Sequence, residues 1–181
     1  MNNINAETLK SIFTSGANNI SNNFKNIDAL NVFPIPDGDT GTNMMMTIQN
    51  GVKNINNNPS DECGEMSLLF SRGLLLGARG NSGVILSQIF RGFAEALTNK
   101  VELVLADLVA AFESGTKRAY KAVLKPVEGT MLTVIKDASN ALKEAYNKNN
   151  TDITLAFESM VNKAKESLQN TPNLLPVLKE A

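Results

Sequence analysis

Histidine is absent from all 181 residues. With it go the usual general base, the commonest metal ligand and every Ser-His or Cys-His nucleophile pair. Cysteine is nearly absent too. Cys63 stands alone, so no internal disulfide forms and a zinc site has too few ligands. A single cysteine fits a reducing compartment, and a cytoplasmic placement is expected. The net charge is only −1, which gives the chain no bulk pull toward nucleic acid or an anionic membrane. No apolar run is long enough to span a bilayer, and no signal-peptide pattern opens the sequence. Chemistry in such a chain runs on carboxylates, hydroxyls, amides, Lys or Arg.

What the chain does have is apolar residues at 43 %, enough for a core and too many for disorder. The length points to one domain, or at most two. Apolar positions recur at three- and four-residue steps almost throughout and fit no strand alternation. Leu9, Ile12, Phe13, Ala17, Ile20 and Phe24 mark a first amphipathic helix. A second is expected from near Thr42, and a third over Asp61 to Leu76 with Ser60 as its cap. A fourth follows Gly83, a fifth begins near Asp107, a sixth near Thr130 and a seventh near Asp152. The breaks are short: Pro34 and Pro36, "NNNPS" at 56–60, "GARGNSG" at 77–83, "PVEG" at 126–129 and "NKNNT" at 147–151. Short connections favour antiparallel neighbours, so the expected architecture is an all-α, up-and-down bundle. After "NTPN" at 170–173, "LPVLKEA" reads as the start of an eighth helix, and the chain reads as a piece of a longer protein.

The stretch "NVFPIPDGDTGTNMMM", residues 31–46, carries the candidate chemistry. Asp37 and Asp39 are separated only by Gly38, and two carboxylates held together repel unless a cation or a proton neutralises one. Mg²⁺ is a suitable partner, because it takes one or two carboxylates together with waters and phosphate oxygens. Asn31 could add an amide oxygen. "TGTN", "GARGNSG" and "PVEGTM" each lead into a predicted helix, and amides at a helix start favour phosphate. Gly77, Gly80 and Gly83 lack a Cβ and would let backbone amides approach an anion. Arg79, Asn81 and Ser82 add donors, and Met131 could line a slot for a nucleobase. No P-loop pattern occurs, and "DGDTGTNMMMTI" is not an EF-hand loop. Each short pattern has a plainer reading. D-G-D alone is as readily a solvated turn, the glycines are as readily helix stops, Met44 to Met46 core filler, and Arg79 a surface cation.

Taken together, "LNVFPIPDGDTGTNM", "GARGNSGVILSQI", "PVEGTMLTV" and "TPNLLPVLKEA" resemble the dihydroxyacetone-kinase-like (DhaL, or DAK2) nucleotide-binding domains, and among them the ATP-binding subunits of bacterial fatty acid kinases. The resemblance covers essentially the whole chain. It implies an antiparallel barrel of about eight helices with ATP at one rim and two Mg²⁺ ions. By that match Asp37 and Asp39 hold the metal and serve the catalysis, and Asn31 is a candidate replacement for a third aspartate that the pattern has upstream. Separately from the match, Arg79 is the cation expected to offset γ-phosphate charge. Thr40, Thr42 and Asn43 would hold phosphate or metal, Gly80, Asn81, Ser82 and Gly83 the phosphate chain, and Thr130 and Met131 would lie near the adenine. The acceptor implied is a fatty acid on a separate FakB-like fatty-acid-binding carrier protein, with an acyl phosphate for phospholipid synthesis as product. A homodimer, where one forms, would use regions outside this chain. Two readings stand beside this one: a dihydroxyacetone-type kinase domain, and a non-catalytic helical interaction module.

Overall fold

A computed structural model describes residues 1–148 and 151–180. Local chemistry starts most of the helices. The Asn5 side chain accepts the Thr8 N–H at 2.9 Å and opens α1, Ala6–Ala29. Thr130 and Asp152 do the same for α6, Met131–Asn147, and α7, Ile153–Leu174. Asp107 accepts the Val104 N–H at 3.0 Å at the start of α5, Leu105–Ala122. Between them lie α2, Thr40–Asn57, α3, Cys63–Gly77, and α4, Gly80–Ala96. These helices follow the apolar periodicity closely.

Several boundaries differ from the sequence expectation. Helix α2 begins at Thr40, two residues early. Helix α4 begins at Gly80 and not after Gly83, because Gly80 turns the chain at φ 57° and the Gly83 N–H already bonds to the Arg79 carbonyl at 3.0 Å. Ser60 does not cap α3 directly; its hydroxyl accepts the Glu62 N–H at 3.2 Å and donates to Glu65 at 2.6 Å, one residue ahead of the helix. No separate helix follows "NTPN". Helix α7 runs through it with Pro172 inside, and Pro176–Glu180 forms a 3-10 turn. The Leu168 carbonyl, which Pro172 cannot serve, accepts the Thr171 hydroxyl at 2.7 Å. The 149–150 part of the "NKNNT" break, and Ala181, lie outside the described residues.

Consecutive helices pack on one another from α1 to α7. The up-and-down order places the connections alternately at two ends of the bundle. One end is tied by backbone bonds: Ile4 and Leu103 exchange both N–H···O bonds at 2.9 Å, and the Ile153 N–H reaches the Met1 carbonyl at 2.8 Å. The other end gathers residues 30–39, 78–79, 123–130 and the 3-10 turn, so the order of helices alone brings the three motifs together.

The core is a chain of aromatic contacts. Phe13 stacks on Phe70 with ring centres 4.1 Å apart, Phe70 meets Phe90 edge-on at 5.0 Å, and Phe93, Phe112 and Phe157 carry the contact across to α7. On the flank between α1 and α7 a groove of about 750 Å³ reaches this aromatic chain, bordered by Ile12, Gly16, Phe157 and Val161. It shares no residue with the motif end. Among the described residues seven helices and a short 3-10 turn form the all-α bundle that the sequence leads one to expect, close to the eight helices that the resemblance implies.

Candidate functional site

The loop from Asn31 to Asp39 is fixed by one side chain. Asn31 donates to the Ile35 carbonyl at 2.7 Å, and its oxygen accepts both the Thr40 N–H at 3.2 Å and the Thr40 hydroxyl. The oxygen that the sequence offered to a metal is thus engaged inside the loop. Gly38 sits at φ 66°, a left-handed conformation that suits glycine. The chain therefore bends between the two aspartates and is not extended there. Asp37 and Asp39 are exposed, and neither carboxylate has a hydrogen bond or an ion pair among the described residues. Nor do three His, Cys, Asp or Glu side chains come together anywhere among the described residues in a group that could hold a metal ion.

The start of α2 differs from the sequence reading. Asp28, near the end of α1, accepts the Thr42 N–H at 3.0 Å and the Thr42 hydroxyl at 2.7 Å. Burial pushes the Asp28 carboxyl up, but the Thr42 hydroxyl and the Thr42 and Gly41 amides outweigh it and hold the group below its ordinary value. The Asn43 N–H bonds to the Asp39 carbonyl at 2.8 Å. Asn31, Asp28 and Asp39 therefore occupy the first amides of α2, together with the hydroxyls of Thr40 and Thr42. Those amides are not open to a phosphate in this arrangement, and the aspartate that fills them was not among the sequence candidates.

The start of α4 is the reverse. Among the described residues, the amides of Gly80, Asn81 and Ser82 have no acceptor. A helix end with three open donors is a ready anion cradle. It is held against α2 at close range. A Cβ on Gly80 would overlap the Asn43 side chain, and one on Gly83 would overlap the Thr47 hydroxyl. Gly83 thus serves the packing of α4 on α2 and presents no open amide. Thr47 is fully buried; its hydroxyl donates to the Asn43 carbonyl at 2.7 Å and accepts the Arg79 N–H at 3.3 Å. Ser82 donates to the Thr40 carbonyl at 3.3 Å. These contacts join the D-G-D loop to the glycine turn. The Arg79 side chain is exposed and has no carboxylate partner among the described residues.

One residue stands out among these. Asn43 is only 9 % exposed and its side-chain amide makes no hydrogen bond among the described residues, but its polar atoms are not enclosed. The amide is therefore free to bond to water or to a ligand that takes the water's place. It lies between the open amides of α4 and the loop that carries the two free carboxylates. The third motif lies alongside: Met131 packs with Ile85 of α4 and Val123 against the small cluster of Ile89, Ala119 and Leu132. The Thr130 hydroxyl is used within its own turn, accepting the Leu132 N–H at 3.3 Å and donating to the Val127 carbonyl at 2.8 Å.

The donor set suits a hydrated Mg²⁺ beside a polyphosphate. Two free carboxylates are what such an ion takes from a protein, and the open amides suit the phosphate oxygens. Residues 34–181 match the family described as DAK2 domain. The chain belongs to the DAK2 domain family. It is therefore a nucleotide-binding module of a kinase-related family. The uncharacterized protein SAB1090 of Staphylococcus aureus strain bovine RF122 / ET3-1 is 52 % identical over 177 residues, covering 98 % of this chain and 32 % of that protein. The uncharacterized protein SAUSA300_1119 of Staphylococcus aureus strain USA300 is similar to the same extent, 52 % identical over 98 % of this chain and 32 % of its own length. The chain spans about a third of the length of these relatives. Among the described residues of this DAK2 domain no helix is long and apolar enough to cross a membrane.

Proposed function

We propose that this DAK2 domain binds Mg·ATP at the motif end and passes the γ-phosphate to a fatty acid carboxylate. The acid would be presented by a separate fatty-acid-binding carrier protein, and the product would be an acyl phosphate for phospholipid synthesis in the cytoplasm. The observation that supports the nucleotide reading is the set of three open amides at the start of α4, with the accessible Asn43 amide and two exposed aspartates beside it. Asp37 and Asp39 are the residues that would hold the metal, two ions by the family's pattern. Such ions neutralise the charge that builds on a transferring phosphoryl group. The amides of Gly80, Asn81 and Ser82 bind phosphate oxygens, the Asn43 amide donates beside them, and Arg79 adds a cation at the edge.

The acceptor reading has its own support. Phosphoryl transfer asks chiefly for positioning and charge neutralisation. A carboxylic acid with an ordinary pKa near ~4–5 arrives ionised at neutral pH and needs no general base. A domain without histidine suits such an acceptor.

The nucleotide test is a thermal-shift titration with ATP and Mg²⁺. Binding to the folded state alone raises Tm as ligand exceeds Kd. The shift should vanish in Asp37→Ala and Asp39→Ala while their helical circular dichroism persists. A wild-type chain that does not respond, or variants that respond as it does, would remove the reading. Acyl-phosphate formation by the whole protein with its carrier, compared with phosphorylation of dihydroxyacetone, decides the acceptor.

A further inference from the structure

Glu128 has no part in the chemistry above, yet its carboxylate is the best-connected one at the motif end. It accepts the Tyr120 hydroxyl of α5 at 3.0 Å, the Thr133 hydroxyl of α6 at 2.6 Å and the Lys136 ammonium of α6 at 2.9 Å. The Thr133 hydroxyl in turn accepts the Gly129 N–H at 2.8 Å. Gly129 sits at φ 81° against the backbone of α7: a Cβ there would come within 2.9 Å of the Leu175 nitrogen and 3.0 Å of the Thr171 carbonyl. A short turn is thereby pinned from three helices.

Stability gives little reason for so many bonds. The side chains of Glu128 and Lys136 are 49 % and 39 % exposed, and ion pairs that wet contribute only about 0–1 kcal/mol. What the bonds do is fix direction. They set the backbone that delivers Met131 to the first turn of α6, where it packs on the same small cluster as Ile85, which follows the open amides of α4 by one helical turn.

We propose that Glu128 is a positioning residue that locks the turn at 126–130 so that it and Met131 form the wall on which the nucleobase of the bound nucleotide rests. The inference rests on the nucleotide reading above, and it separates the two halves of the ligand. The phosphates are held by α4 and the D-G-D loop; the base is held by a turn whose shape Glu128 sets. Preorganising that turn spares binding the cost of ordering it.

The test is calorimetric titration of the wild-type chain and Glu128→Gln with Mg·ATP and with Mg·tripolyphosphate, which carries the phosphates and no base. Glu128→Gln should bind ATP about tenfold more weakly and tripolyphosphate within about twofold of wild type, with a nearly unchanged melting temperature. Tyr120→Phe removes one donor, leaves the ion pair, and should move ATP affinity the same way by a smaller factor. It keeps the test open if Glu128→Gln melts early. Equal ATP affinity in wild type and both variants overturns the inference alone. So does a parallel loss for both ligands, which would mark a merely structural role. A wild-type chain that takes up neither ligand fails at the nucleotide reading and carries this inference down with it.

Discussion

Replacing Gly83 by alanine should force α4 away from α2 and loosen the site that both helices build. A Cβ at this position would overlap the Thr47 hydroxyl and lie 3.4 Å from the Asn43 carbonyl. Thr47 cannot easily yield. It is fully buried, and its hydroxyl is committed to the Asn43 carbonyl and the Arg79 N–H. Overpacking of this kind costs about 1–3 kcal/mol, and a lost hydrogen bond adds about 1 kcal/mol. Alanine returns about 1 kcal/mol as the better helix former. The net loss is about 1–3 kcal/mol. At about 2–4 °C per kcal/mol for a domain of this size, Tm should fall by roughly 2–12 °C. Thr47→Ala removes the obstacle and should also destabilise, since it strips the Arg79 N–H of its acceptor. The double variant is then less damaged than the sum of the two, with a coupling of about 1–2 kcal/mol by denaturant unfolding. Full stability in Gly83→Ala, or strict additivity in the cycle, would refute the close approach of α4 and α2.

The other expectations concern titratable groups. Asp28→Asn should cost about 1–2 kcal/mol at neutral pH, because an amide replaces the carboxylate that caps the start of α2. The folded-state pKa of Asp28 lies below the ordinary 3.8, so its contribution is whole above that value and disappears as pH falls through the lowered one. Stability curves of wild type and variant should therefore converge only in strong acid; a gap that closes near neutrality would contradict the assignment. Cys63 is fully buried; burial first, and the Glu102 charge second, push its thiol up to about 11. It should resist a thiol-specific reagent at pH 8 until denaturant is added, and rapid labelling of the native chain would contradict its position.

The helices were legible because their signals are local. An apolar stripe at 3.6-residue spacing and a Pro or Gly at the break lie within a few residues of the element they shape, and α6 and α7 begin within one residue of Thr130 and Asp152, where the sequence places their starts. The site was legible only as a set of residue types. Gly80 and Gly83 look alike in "GARGNSG", yet one turns the chain beside open amides and the other is a packing surface for Thr47, a residue 36 positions away in the sequence. "TGTN" and "GNS" look equally fit to receive phosphate. Asp28 and Asn31 fill the first, nothing among the described residues fills the second, and no local pattern connects Asp28 to Thr42 across 14 residues. Pro172 reads as a helix stop until Thr171 is seen to serve the carbonyl it abandons. The chemistry of a helix start depends on whether its donors are already spent, and here the spending is done by side chains brought in by the fold. That is why three amides at the start of α4, which no letter of "GARGNSG" distinguishes from those of "TGTN", became the most telling feature once the structure showed them open.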